Sequence, residues 1–296
     1  MAEKTVESES MEMVTPMMGT VEAQAHAEID IQIATAKQYP RDVAKFLKKA
    51  ESLACLNDDI AAACFYKLKR RSKDGDKVIE GPSVRFAEII AATWTNMRID
   101  ARTINEDDKF VYSQGTAWDL QENVAIRFET RRRITDSNGR KYNDDLIGVT
   151  ANAATAIALR NAVFRVIPKA FWENVYDSAK QCAIGNVKTL GERRQKMLDY
   201  YTQKLGVAAD RVFKYLEITG IESMTLQHVE DLRGLATAIK EGDTTIDKEF
   251  FAANELKGDK QTSNLSKLAE TMKKEDAPKA EEKKADAPRA TGGRLF

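Results

Sequence analysis

The residue type whose spacing could do chemistry in this chain is arginine. In VAIRFETRRRITDSNGRKY, residues 124–142, Val124, Ile126 and Phe128 alternate with Arg127, Glu129, Arg131 and Arg133. A DSNG turn then leads to Arg140 and Lys141. Strict alternation is the period of a half-buried strand, so the apolar set faces a core and Arg127, Arg131 and Arg133 project from the other side. Each guanidinium offers paired donors in a flat fork that matches phosphate oxygens. A line of them suits a phosphate backbone. The plainer reading is a face charged for solubility, with Glu129 and Asp100 pairing some of the arginines.

Other chemistry is hard to assemble. No GxxxxGK[ST] loop announces ATP. The two histidines, His26 and His228, are far apart, and neither suits a His-based triad or a zinc site. Asp107–Asp108 and Asp144–Asp145 read as turn and helix-start residues. Cys55, Cys64 and Cys182 are odd in number and widely spaced, and read as buried free thiols rather than a disulfide framework. No catalytic residue, metal site or cofactor is therefore expected, and a magnesium-dependent nuclease is the enzyme alternative. Trp94, Tyr112, Trp118 and Trp172 have the ring faces to stack on bases, although each type is more often core.

The elements that must hold the arginines follow from periodicity. PRDVAKFLKKAESLACL has helical spacing with lysines opposite the apolar face, and DDIAAACFYKLKRR reads as a second short helix ending in cations. SKDGDK is a loop, and a third helix begins in EGPSVRFAEIIAATW. MRIDARTI, KFVYSQGTAWDL and VAIRFETRRRIT are strands joined by short turns, which favours an antiparallel meander with one wet face. Arg98 and Arg102 then join the arginines of the third strand. DLIGVTANAATAIALRNAVFRVIP is a long helix stopped by Pro168 and carrying Arg160 and Arg165, with Lys169 just beyond.

The expected fold class is α+β: an antiparallel sheet of three to four strands with packed helices, then a small helical domain and a disordered tail. The expected boundaries are a disordered acidic segment over 1–36, a core over 37–189, a helical domain over 190–256 and a low-complexity tail over 257–296. Net charge is zero over 296 residues. That total hides segregation: −6 over residues 1–36, +7 over 37–200, −3 over 201–250 and +2 over 251–296. A basic centre points to a polyanionic partner. No secretory leader and no membrane span are expected.

The order of EGPSVRFAEIIAATW, the strands from Met97 to Tyr142, and TANAATAIALRNAVFRVIPKA resembles the single-strand annealing proteins. That superfamily includes phage RecT and Redβ and the eukaryotic Rad annealing mediator. FLKKAESLACLNDDIAAACFYKLKR is similar to the helical lead-in of the RecT type, and the match covers roughly 40–175. The resemblance implies a protein without covalent chemistry that binds single-stranded DNA and the annealing duplex without ATP. It implies an oligomeric ring or helical filament in the cytoplasm of a bacterial host, serving phage-type recombination. By position it places Arg127, Arg131, Arg133, Arg140 and Lys141 along a groove, with Arg160, Arg165 and Lys169 as helix-borne phosphate contacts. It also implies a phage exonuclease or a host single-strand binding protein as partner of the C-terminal region. The competing expectation is a phage structural or assembly protein that uses the basic sheet as a protein interface.

Overall fold

A computed structural model describes residues 3–70, 77–136 and 138–251, with side chains from residue 19 onward except residue 21. Chain order is α1 (Glu3–Gln38), α2 (Val43–Ala54), α3 (Asp58–Ala63), β1 (Phe65–Arg70), β2 (Lys77–Pro82) and α4 (Val84–Trp94). Then come β3 (Met97–Glu106), β4 (Phe110–Asp119), β5 (Val124–Arg133), α5 (Asp144–Val166) and α6 (Lys169–Ile184). The last helices are α7 (Leu190–Asp199), α8 (Ala209–Leu216), α9 (Leu226–Lys240) and α10 (Ile246–Phe250). The class is α+β, as expected.

Strands β3, β4 and β5 form the antiparallel meander, in that spatial order. Its turns are set by acidic side chains. Asp107 Oδ1 accepts from the Lys109 and Phe110 amides at 2.7 Å each. Asp119 Oδ1 accepts from the Gln121 and Glu122 amides, and Asn123 takes the left-handed φ of 54° that returns the chain. Helix α5 covers the inner face, packing chiefly on β4 and β5. Small residues permit this: a Cβ on Gly115 would lie 2.3 Å from the Ala158 carbonyl group. Asn143 caps α5, its side chain accepting from the Leu146 amide at 3.0 Å, and Asp144 and Asp145 suit the positive end of the helix dipole. Helices α2, α4 and α6 complete this core around Phe46, Phe86, Ile90, Trp94, Val163 and Trp172.

A second core differs from expectation. Helix α3 ends at Ala63, and FYKLKR is strand β1, paired with β2 from Phe65↔Pro82 to Arg70↔Lys77. Most of SKDGDK lies outside the described residues, but its Lys77 opens β2. The helical reading failed because aromatic and alternating residues at 65–70 gain more from pairing and from packing on α9 than from helix propensity. Leu68, Tyr66 and Ile79 share one cluster with Met197, Tyr201, Leu232, Leu235 and Phe250. The boundary expected at 189/190 is therefore no boundary in packing: the β1–β2 hairpin supplies part of the core for the helices that follow. Gly234 lets α9 lie directly on β1, since a Cβ there would come 2.4 Å from that of Lys67.

Residues expected to lack structure at the N-terminus form helix α1 instead. Their Ala, Glu, Gln and Met content favours helix, although among the described side chains of α1 only Ala36 is buried. The expected tail over 257–296 lies outside the described residues. Among the described residues one helix, Asp144–Val166, has the length and hydropathy to cross a membrane. It is the helix packed across the sheet, which accounts for its apolar composition.

Candidate nucleic-acid interface

The face of the β3–β5 sheet away from α5 carries two rows of arginine. Register places Arg98 opposite Trp118 and Arg102 opposite Gln114 on one side of β4. On the other side it places Arg127 opposite Thr116, Arg131 opposite Tyr112 and Arg133 opposite Phe110. All five arginines are exposed. Two inter-strand spacings separate the rows, about 9–10 Å, and alternate residues along a strand are about 7 Å apart. Between the rows β4 presents the half-exposed rings of Phe110, Tyr112 and Trp118.

Among the described residues the arginines on this face have no ion-pair partner: no carboxylate lies within 4.0 Å of Arg98, Arg102, Arg127, Arg131 or Arg133. Asp100 and Glu129 share the face but make no ion pair there; Glu129 accepts instead from Gln114 Nε2 at 3.3 Å. Five arginines against these two carboxylates leave +3. The aromatic row is held in place. Tyr112 donates to Asp107 Oδ2 at 2.9 Å. That bond raises the phenol above its usual range, while the amides of Lys109 and Phe110, with Tyr112, hold the Asp107 carboxyl below its own. Arg131 lies 5.3 Å from the Phe110 ring centre. The Trp118 indole nitrogen is buried and has no hydrogen-bond partner among the described residues.

The other expected contacts fall elsewhere. Arg140 is exposed on the turn past β5, where Asp136 Oδ1 accepts from the Asn138 and Arg140 amides at 2.8 Å each. Lys141 is paired with Glu106 at 2.8 Å, and Lys169 with Glu173 at 2.7 Å. Arg160 is 8% exposed and bound to Glu241 at 3.3 Å and Asp243 at 3.5 Å, with Tyr66 against its guanidinium. Arg165 lies over the Phe128 ring at 4.6 Å, on the helix side of the sheet. Helix α5 covers the inner face, so its two arginines lie on the other side of the sheet from the exposed row; Arg160 meets that row only at the cleft where Arg131 also lines the wall, and there it is occupied as a structural cation. Trp94 and Trp172 are core, at 4% and 6% exposure, whereas Tyr112 and Trp118 stand on the arginine face.

Sequence reasoning passed over Phe110, whose place in the row follows from extending the alternation of β4 by one step. It also passed over a cleft of about 450 Å³ between the β1–β2 hairpin and the edge of β5. Arg70, Arg131, Arg132, Arg160 and Lys248 line it. Within it Arg132 donates to the Gly242 carbonyl and pairs with Asp243 at 3.4 Å, so much of its charge is matched. No signal in a single sequence brings residues 70, 132 and 248 together. His26 is exposed on α1, and His228 accepts from the Thr225 amide in the cap of α9. No group of three or more His, Cys, Asp or Glu side chains suited to a metal occurs among the described residues. Comparison with family models, with curated proteins and with solved structures found no match to this chain.

Proposed function

We propose that this protein binds single-stranded DNA through the exposed face of the β3–β5 sheet and promotes annealing without ATP. The observation that carries the reading is the double row, without an ion pair among the described residues: Arg98 and Arg102 on one strand, Arg127, Arg131 and Arg133 on another, with aromatic rings between. Packing does not require that arrangement. Guanidinium rows fit phosphates without reading sequence, and ring faces stack on any base. Phosphate contacts leave the Watson–Crick edges free, which pairing with a second strand demands. The resemblance of residues 40–175 to the phage RecT and Redβ type points the same way. On that basis the protein works as a cytoplasmic homo-oligomer in phage-type recombination, with the C-terminal region recruiting a recombination partner.

The test is fluorescence anisotropy of a labelled oligo-dT strand at several salt concentrations, then of a mixed-sequence strand with its unlabelled complement added. Salt-sensitive binding with faster duplex formation, and no ATP, is the expected result. No binding at low salt would transfer the arginine face to a protein interface. Shortening of the labelled strand in magnesium would favour a nuclease.

A further inference from the structure

Two of the three cysteines meet on the surface. Cys55 ends α2 as its C-terminal cap, and Cys182 lies in the last turn of α6. Both are half-buried, and both line one open cleft with Lys48, Glu51, Leu56 and Ser178. The helices are already tied one turn earlier, where Ser178 donates to Glu51 Oε1 at 2.8 Å. From Glu51 to Cys55 and from Ser178 to Cys182 is four residues in each case, so the second pair sits one helical turn beyond the first. The third cysteine is different: Cys64 is fully buried and its thiol donates to the Ile60 carbonyl.

We infer that Cys55 and Cys182 form a reversible disulfide that staples α2 to α6, a redox site independent of the DNA-binding reading. The oxidant is a small disulfide such as oxidised glutathione. The Cys182 thiolate attacks one glutathione sulfur, forming a mixed disulfide and expelling one glutathione thiolate. Cys55 then loses its proton and attacks the Cys182 sulfur, expelling the second. The protein gives up two electrons and two protons, and one oxidised glutathione becomes two reduced molecules. Burial, reinforced by the neighbouring Cys182 thiol, pushes the Cys55 thiol up to about 12, which slows the closing step. The chain between the two residues spans most of the α+β core, so the bond constrains a long loop of the unfolded state.

The test equilibrates the full chain in graded ratios of reduced to oxidised glutathione, quenches with acid and maps peptides by mass spectrometry without reduction. Cys55 and Cys64 share the tryptic fragment from Ala50 to Lys67, so a second protease cutting before Asp58 is needed to separate them. The expected result is a 55–182 linkage that grows with oxidising poise, unmodified Cys64, and a rise in Tm of about 5 °C or more. Cys55→Ser should lose the rise. Glutathione adducts without a protein linkage, no oxidation at the most oxidising ratio, or a linkage through Cys64 would each overturn the inference.

Discussion

Replacing Arg131 and Arg133 together by glutamine removes two of the five arginines on the outer face that have no ion pair among the described residues, and leaves the inner face of the sheet untouched. Binding to single strands weakens with salt with a logarithmic slope of about −0.7 per phosphate neutralised, so five contacts give about −3.5 and three give about −2.1. Between 50 and 200 mM salt the native chain should therefore lose affinity about 130-fold, and the double variant only about 18-fold. Both side chains are exposed, and the ring contact of Arg131 with Phe110 is worth about 0.5–1 kcal/mol, so Tm should move by no more than about 3 °C. Anisotropy titrations of labelled oligo-dT at four salt concentrations read the slope, and a thermal melt checks the fold. Arg132→Gln is the matched control, because this residue lies between the other two in sequence and on the opposite face. It should lower Tm by removing a partner of Asp243 and leave the slope unchanged. An unchanged slope in the double variant would refute the assignment. A larger drop for Arg132→Gln would move the site to the cleft beside β1.

Three further outcomes follow from the fold. Burial, opposed by Arg160, pushes the Glu241 carboxyl from 4.5 up to about 7, so the native state keeps a proton that the unfolded chain sheds. Stability should accordingly fall by about 3 kcal/mol as pH rises from about 4.5 through about 7, and Glu241→Gln should flatten that slope in urea melts at pH 5 and pH 8. Asp119 is buried, yet hydrogen bonds from Arg41 and from the Trp94 indole still hold its carboxyl below the usual range. Asp119→Asn should cost about 3 kcal/mol in urea unfolding and leave the DNA salt slope intact. Gly115→Ala forces a methyl group against the Ala158 backbone, so α5 must lift from the sheet, at a cost of about 1–3 kcal/mol by thermal or urea melts.

The arginine face was legible because period two is a strong signal and both strands carrying it are long. Val124, Ile126 and Phe128 fixed the inner side of β5, and the parity of Arg127, Arg131 and Arg133 followed. The helix that backs the sheet was legible from its alanines and from Pro168. The β1–β2 hairpin was not. Lys67 sits at a buried position because its ammonium meets Asp231 at 2.8 Å and Glu230 at 3.2 Å, partners more than 160 residues away that no local pattern reveals. With Lys67 counted as surface, FYKLKR lost its strand signature and was absorbed into a helix. Misreading that hairpin also made residues 190–256 look self-sufficient. The same blindness to distant partners placed Arg160 among the phosphate contacts, since only the fold brings Glu241 and Asp243 to it.

Charge segregation along the sequence consequently has two roles in the structure. The acidic stretch over 201–250 packs against the basic middle of the chain and neutralises part of it. Glu230 and Asp231 on α9 meet Lys67, Lys69 and Lys180, while Glu241 and Asp243 after α9 meet Arg160 and Arg132. Those cations lie on β1, α6, α5 and the inner side of β5, the parts that touch the C-terminal helices. Among the described residues none of the arginines on the outer face of β3–β5 has a carboxylate within 4.0 Å, so they keep their charge. A count of lysine and arginine would rank Arg132 and Arg160 with Arg131 and Arg133. Pairing separates them: the first two are oriented by nearby carboxylates and tie the C-terminal helices to the sheet, and the last two can engage a polyanion without first breaking an ion pair.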